Sequence, residues 1–113
     1  MKREFVRVEL FDALWHHFGL SDKEARELEL TLLSDPKTGD VIQGTGGLRK
    51  MRYSPSKHHR GKSSSYRICY LDIEHNDQII LIFMFIKDKQ ENLTDADKQK
   101  FKAMVKLLKN EYQ

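Results

Sequence analysis

The sequence predicts an α+β fold with its elements in the order β-α-α-β-β-β-α and a mostly antiparallel sheet. Three patterns carry that expectation. Two adjoining stretches near the N-terminus repeat their apolar residues at helical spacing. A central region from Leu48 to Ile86 changes to a period of two or to continuous apolar runs. After Thr94 the helical spacing returns.

Residues Glu4 to Glu9 alternate weakly, with Phe5, Arg7 and Glu9 on one side and Val6 and Val8 on the other, as a short first strand would. Phe11, Leu14, Trp15 and Phe18 then fall at i, i+3, i+4 and i+7, the apolar stripe of an amphipathic helix. Gly19 ends it, because a helix C-terminus commonly needs a residue that accepts the left-handed conformation. Ser21-Asp22-Lys23-Glu24 has capping-box spacing: the Ser21 hydroxyl accepts from the Glu24 amide while the Glu24 carboxylate reaches back. Ala25, Leu28, Leu32 and Leu33 form the stripe of this second helix, which Asp35-Pro36 terminates. A helical hairpin follows from the two together, with His16 and His17 expected at the border of the core.

Gly44, Gly46 and Gly47 break helical patterning. Their spacing does not match the G-x-x-x-x-G-K-[ST] loop that cradles nucleotide phosphates, so they read as turn residues. Leu48, Lys50 and Arg52 then alternate with Arg49, Met51 and Tyr53 in a strand with one wet face. Residues 54–65 are polar, with Pro55 and Gly61, and read as a loop. Tyr66 to Ile73 is a third strand, and Glu74-His75-Asn76-Asp77 a hairpin turn. Ile79 to Ile86 is apolar on both faces, as a strand covered on both sides would be. Thr94 caps a last helix with Asp95 and Asp97 in its first turn and Phe101, Met104, Val105 and Leu108 facing inward.

A chain of 113 residues suffices for one compact domain, and a second core would be hard to fill, so residues 1–113 are expected to form a single domain. Six Phe, four Tyr and one Trp within 39% hydrophobic content can build that core. The longest apolar run, Ile79 to Ile86, is far below the roughly 20 residues of a membrane helix. MKREFVRVEL lacks the apolar segment and small-residue cleavage site of a signal peptide. The lone Cys69 excludes an internal disulfide and a cysteine zinc site, and reads as a small buried hydrophobe. A cytoplasmic setting, no cofactor and no bound metal are therefore expected.

Charge is distributed unevenly. Between Asp40 and Asp72 there is no carboxylate, yet seven of the 20 basic residues lie there, leaving 13 against 17 acids elsewhere. The seven are Arg49, Lys50, Arg52, Lys57, Arg60, Lys62 and Arg67, with His58 and His59 among them. Such segregation builds a positive potential suited to a polyanion, most commonly nucleic acid. Period-two geometry sets Lys50 and Arg52 on one face, roughly 6 to 7 Å apart along the strand. The next strand brings Arg67 near them. A face built only for solubility normally mixes signs, and this one does not.

Cleaving RNA without a metal requires one group to take the 2′-hydroxyl proton, another to protonate the leaving 5′-oxygen, and positive charge on the phosphate. No paired carboxylates and no metal-ligand cluster are spaced for this. His58 and His59 are adjacent without a spaced acidic partner, and plain loop residues are their default reading. A lysine among other cations holds its proton less tightly, which admits Lys50 or Lys62 as proton carriers.

The run from Gly44 to Arg52, then Arg60-Gly61-Lys62-Ser63, then Tyr66-Arg67-Ile68-Cys69-Tyr70, resembles the RelE/ParE toxin superfamily, and the HigB-type toxins in particular. Leu33 to Pro36, Gly39 to Ile42, Phe85 to Asp88 and Leu93-Thr94 fit the same pattern, so the likeness spans roughly residues 5 to 110. The resemblance implies a small RelE-like domain. It also implies a toxin of a type II toxin-antitoxin system that cuts mRNA in the ribosomal A site, with mRNA and ribosomal RNA as targets and a helix-turn-helix, HigA-like antitoxin as partner. Carried over by position, Arg67 stabilises the phosphate in the transition state, Lys50 and Arg52 hold RNA and transfer protons, and Lys87 completes the catalytic set. Arg49, Lys57, His58, His59, Arg60, Lys62 and Tyr70 are the RNA-binding candidates. Many relatives carry Tyr where this chain has Phe85, which cannot move a proton; Tyr66, Tyr70 or a loop histidine would have to substitute, or the cations suffice. Two other readings stay open: a gyrase-targeting ParE-like toxin and a noncatalytic RNA-binding module.

Overall fold

A computed structural model describes residues 3–55, 66–86 and 92–111. It contains β1 (Glu4–Arg7), α1 (Glu9–His17), α2 (Asp22–Ser34), β2 (Asp40–Val41), β3 (Arg49–Tyr53), β4 (Tyr66–Ile73), β5 (Gln78–Ile86) and α3 (Asp95–Glu111). The α+β class and the order of the expected elements hold. The two-residue β2 is an addition, too short to leave a period in the sequence.

The five strands form one sheet in the order β1-β5-β4-β3-β2. Only β1 runs parallel to its neighbour, β5; the other pairs are antiparallel. Both faces are covered. Trp15, Phe11, Leu28 and Leu32 of the helical hairpin pack on Met51, Tyr53, Tyr66, Ile68, Tyr70, Ile79, Leu81 and Met84. On the opposite face Phe101 and Val105 of α3 join Leu48, Cys69, Leu71, Ile73, Ile80, Ile82 and Phe85. Each fully covered aliphatic side chain contributes about 1.5–3 kcal/mol, so β4 and β5, apolar on both sides, anchor both layers.

The hairpin closes as its sequence requires. Gly19 sits at φ +71°, where a side chain would be strained. Ser21 Oγ accepts from the Glu24 amide at 3.2 Å, and Glu24 Oε1 accepts from the Ser21 amide at 3.0 Å. Trp15 Nε1 donates to Ser21 O at 3.0 Å and locks the turn onto α1. At the last helix, Thr94 Oγ1 accepts from the Asp97 amide at 3.0 Å.

Two details differ from the expectation. His16 and His17 are exposed, because the buried stripe through Phe11 and Trp15 leaves them on the solvent side of α1. In β5 the pairing slips between Cys69↔Phe83 and Tyr70↔Leu81, leaving Ile82 as the extra residue of a β-bulge. The bulge resets the alternation, so Ile80, Ile82, Phe83 and Phe85 all face α3. Phe83 meets Phe101 with ring centroids 5.0 Å apart.

A candidate RNA-binding groove

The site begins with what pins β3. Tyr53 stacks on Trp15 with centroids 5.9 Å apart, and its hydroxyl donates to Glu24 O at 3.0 Å. Burial, with Glu27 and Glu24 nearby, pushes the Tyr53 phenol upward, so it stays protonated as a donor. Met51 and Tyr53 are thereby committed to the helical-hairpin side, and strand alternation turns Lys50 and Arg52 to the other. Arg52 stands directly opposite Arg67, and Lys50 opposite Cys69. Opposed residues of an antiparallel pair have Cβ atoms about 5 Å apart, and diagonal neighbours lie within reach of long side chains. The three cations thus share one end of the α3-side face.

They line a groove of about 590 Å³, together with Met51, Thr31, Thr38, Asp40 and Asn92. That size lies within the roughly 300–1,000 Å³ usual for a small-ligand site. Arg67 is only 6% exposed, a burial that arginine rarely reaches without a partner. Among the described residues its Nη1 has no hydrogen-bond partner. Burial, and then the neighbouring Arg52 charge, lowers its proton affinity, though not enough to matter for a guanidinium near neutral pH. Lys50 Nζ donates to Asn92 Oδ1 at 2.7 Å, which ties the approach to α3 to the groove rim. The cations therefore converge, and an anion entering here would meet an uncompensated buried donor.

Other candidates from the sequence stand elsewhere. Tyr70 is fully buried on the helical-hairpin side; its hydroxyl donates to Pro36 O at 2.8 Å and accepts from the Gly39 amide at 3.0 Å. The expectation that Tyr70 contacts RNA is corrected: both hydrogen-bonding directions of the phenol serve the loop after α2. Tyr66 lies on the same side, its ring 5.3 Å from Phe18, so neither tyrosine reaches the groove as a substitute proton donor. Arg49 is half-buried, and its Nη1 donates to Gly39 O at 2.7 Å. It braces the same loop and is not among the residues that line the groove. Phe85 is 5% exposed and stands opposite Arg67 across the β4–β5 pair, an apolar neighbour without a hydroxyl. Burial pushes the Cys69 thiol up to about 12, as befits a core residue. Lys57, His58, His59, Arg60, Lys62 and Lys87 lie outside the described residues. Among the described residues no three His, Cys, Asp or Glu side chains gather as metal ligands, and no helix is long and apolar enough to cross a membrane.

Sequence reasoning missed the burial of Arg67 and the groove positions of Thr31, Thr38, Asp40 and Asn92. Those four come from α2, the loop and strand after it, and the approach to α3, and no local pattern links them.

No family model matches the sequence. Among solved structures, the chain is similar to a mutant of the Escherichia coli toxin RelE in the free state. The match has 19% identity and a TM-score of 0.52, and covers 80% of this chain and 90% of that one. The fold is RelE-like. Within the RelE-like fold, the cationic groove lies at the end of β3 and the start of β4.

Proposed function

We propose that this protein is the toxin of a type II toxin-antitoxin system, a HigB-type, ribosome-dependent endoribonuclease that cuts mRNA in the A site without a metal ion. The buried Arg67 guanidinium on the floor of the groove, flanked by Arg52 and Lys50, carries the reading. The reaction is attack of a 2′-hydroxyl on the adjacent phosphorus, its proton passing to solvent water, to form a cyclic phosphate as the bond to the 5′-oxygen breaks. Arg67 and Arg52 neutralise the phosphoryl oxygens as charge gathers on them, in a pocket that already withholds water from one guanidinium. Lys50, on the rim, is placed to hand a proton to the leaving 5′-oxygen. The loop cations Arg60 and Lys62, together with Lys87, would extend the contact to the RNA backbone. Action on the ribosome sets the protein in the cytoplasm, and its partner is a HigA-like antitoxin that blocks the groove or distorts it.

The test is purified protein added to a translating extract, with mRNA 3′ ends mapped. Cleavage within A-site codons is expected, with loss in Arg67→Ala. Inhibition of DNA supercoiling with intact mRNA would instead select the gyrase-directed reading. Ribosome binding with intact mRNA would select a noncatalytic module.

A further inference from the structure

The groove has a chemically mixed lining: Lys50, Arg52 and Arg67 share it with Thr31, Thr38 and Asp40. Asp40 pairs with Lys50 in the β2–β3 register, and opposed residues point to the same side of the sheet. Yet Lys50 Nζ gives its hydrogen bond to Asn92, and among the described residues Asp40 has no ion pair within 4.0 Å. An exposed carboxylate without an ion pair repels the phosphates that the neighbouring cations attract. Water solvates it in the free protein, and within a bound ligand its complement is a part that brings N–H donors.

In single-stranded RNA those donors are the Watson–Crick edges of splayed bases. A carboxylate is an acceptor only, with two oxygens side by side. Guanine offers it N1–H and N2–H₂ together. Adenine and cytosine each present one amino group beside a bare ring nitrogen, which a carboxylate repels. Uracil has a single N–H between two carbonyls. We infer that Asp40 is the base-selecting residue of the groove, accepting two hydrogen bonds from a guanine next to the phosphate held by Arg67 and Arg52. Thr38 and Thr31 also line the groove, the Thr31 hydroxyl donating to Glu27 O of its own helix at 3.1 Å. This rests on the groove being an RNA site, and it adds which nucleotide the site takes.

Binding and cleavage separate the two claims. Ribosomes are programmed with 2′-O-methylated mRNAs that resist cleavage and differ by one base in the A-site codon, and the affinity of wild type and Asp40→Asn is measured on each. Wild type is expected to favour one guanine position by about 10-fold, the scale of a bidentate base contact. Asp40→Asn, whose amide replaces one acceptor by a donor, should lose that preference while binding adenine at the same position at least as well. No base preference in wild type, or a preference untouched by Asp40→Asn, overturns the inference. Unmodified mRNA is run in parallel: guanine selectivity that depends on Asp40 without strand scission would sink the nuclease reading and leave base selection standing. Absence of any mRNA-dependent binding overturns both.

Discussion

Arg67→Met separates a residue kept for function from one kept for the fold. Methionine roughly preserves the length and apolar stem of the side chain and removes the guanidinium. In the folded chain that guanidinium is almost fully covered, faces Arg52, and among the described residues leaves Nη1 without a partner. A buried donor left unsatisfied costs about 1–3 kcal/mol, which the substitution returns. Imperfect packing of the new side chain beside Phe85 takes back up to about 1.5 kcal/mol. The net is a gain of about 1 kcal/mol, or a Tm higher by about 4 °C for a chain of this size. Cleavage should fall by about 10²–10³, the usual consequence of removing one preorganised group from a developing oxyanion. Calorimetry on the free protein reads the first quantity, and end-mapping of mRNA on translating ribosomes reads the second. A lower Tm refutes the reasoning, since it would mean that the guanidinium holds the sheet together.

Other expectations concern the scaffold and its charges. Tyr70→Phe strands the Gly39 amide and leaves the Pro36 carbonyl without its donor; stability should fall by about 1–3 kcal/mol in denaturant titration, with cleavage per folded molecule unchanged. Gly39→Ala places a Cβ 2.8 Å from the Lys50 carbonyl oxygen and 3.0 Å from the Tyr70 ring; a loss of about 1–3 kcal/mol is expected from the crowding, read the same way. The Cys69 thiol, buried and pushed up to about 12, should resist a thiol-specific reagent at pH 8 until denaturant opens the core. The Lys37 ammonium, 2.7 Å from Glu74, holds the Glu74 carboxyl below its usual range. A depressed carboxyl stabilises above its unfolded pKa and loses that contribution as pH falls through the folded one. Glu74→Gln should therefore melt slightly lower than wild type at pH 7, with the two curves meeting in acid.

How much of this was legible in the sequence depended on the range of the interactions. Capping at Ser21–Glu24, the stop at Gly19 and the apolar stripes of α1 and α2 are set by residues within one or two turns, and each stands where the sequence places it. The shared face of Lys50, Arg52 and Arg67 was equally readable, because a strand's period of two leaves no other arrangement once the strands pair. The partners of Tyr70 and Arg49 were not legible: they lie in the segment from Pro36 to Gly39, which meets Tyr70 through long-range packing and Arg49 through the β2–β3 pairing. The bulge at Ile82 was hidden because a strand apolar on both faces has no alternation from which a slip can be detected.

The cover of the sheet explains why the cations sit where they do. On the α3 side, the apolar residues from Ile73 and Ile80 through Leu71, Ile82 and Cys69 lie beneath Phe101 and Val105. Toward the start of β4 and the end of β3 the same face carries Arg67 and Arg52 instead. Arg52 there is exposed and solvated, but position 67 is buried, where an unpaired charge is costly and an apolar side chain would not be. The sequence changes from one to the other within two residues, Cys69 to Arg67, fully buried thiol to buried guanidinium. Stability alone would favour a neutral residue at position 67, opposite Arg52 and Phe85. Retaining a positive charge there is best explained by a ligand that brings negative charge, and that ligand need only enter the groove to meet a donor already stripped of water.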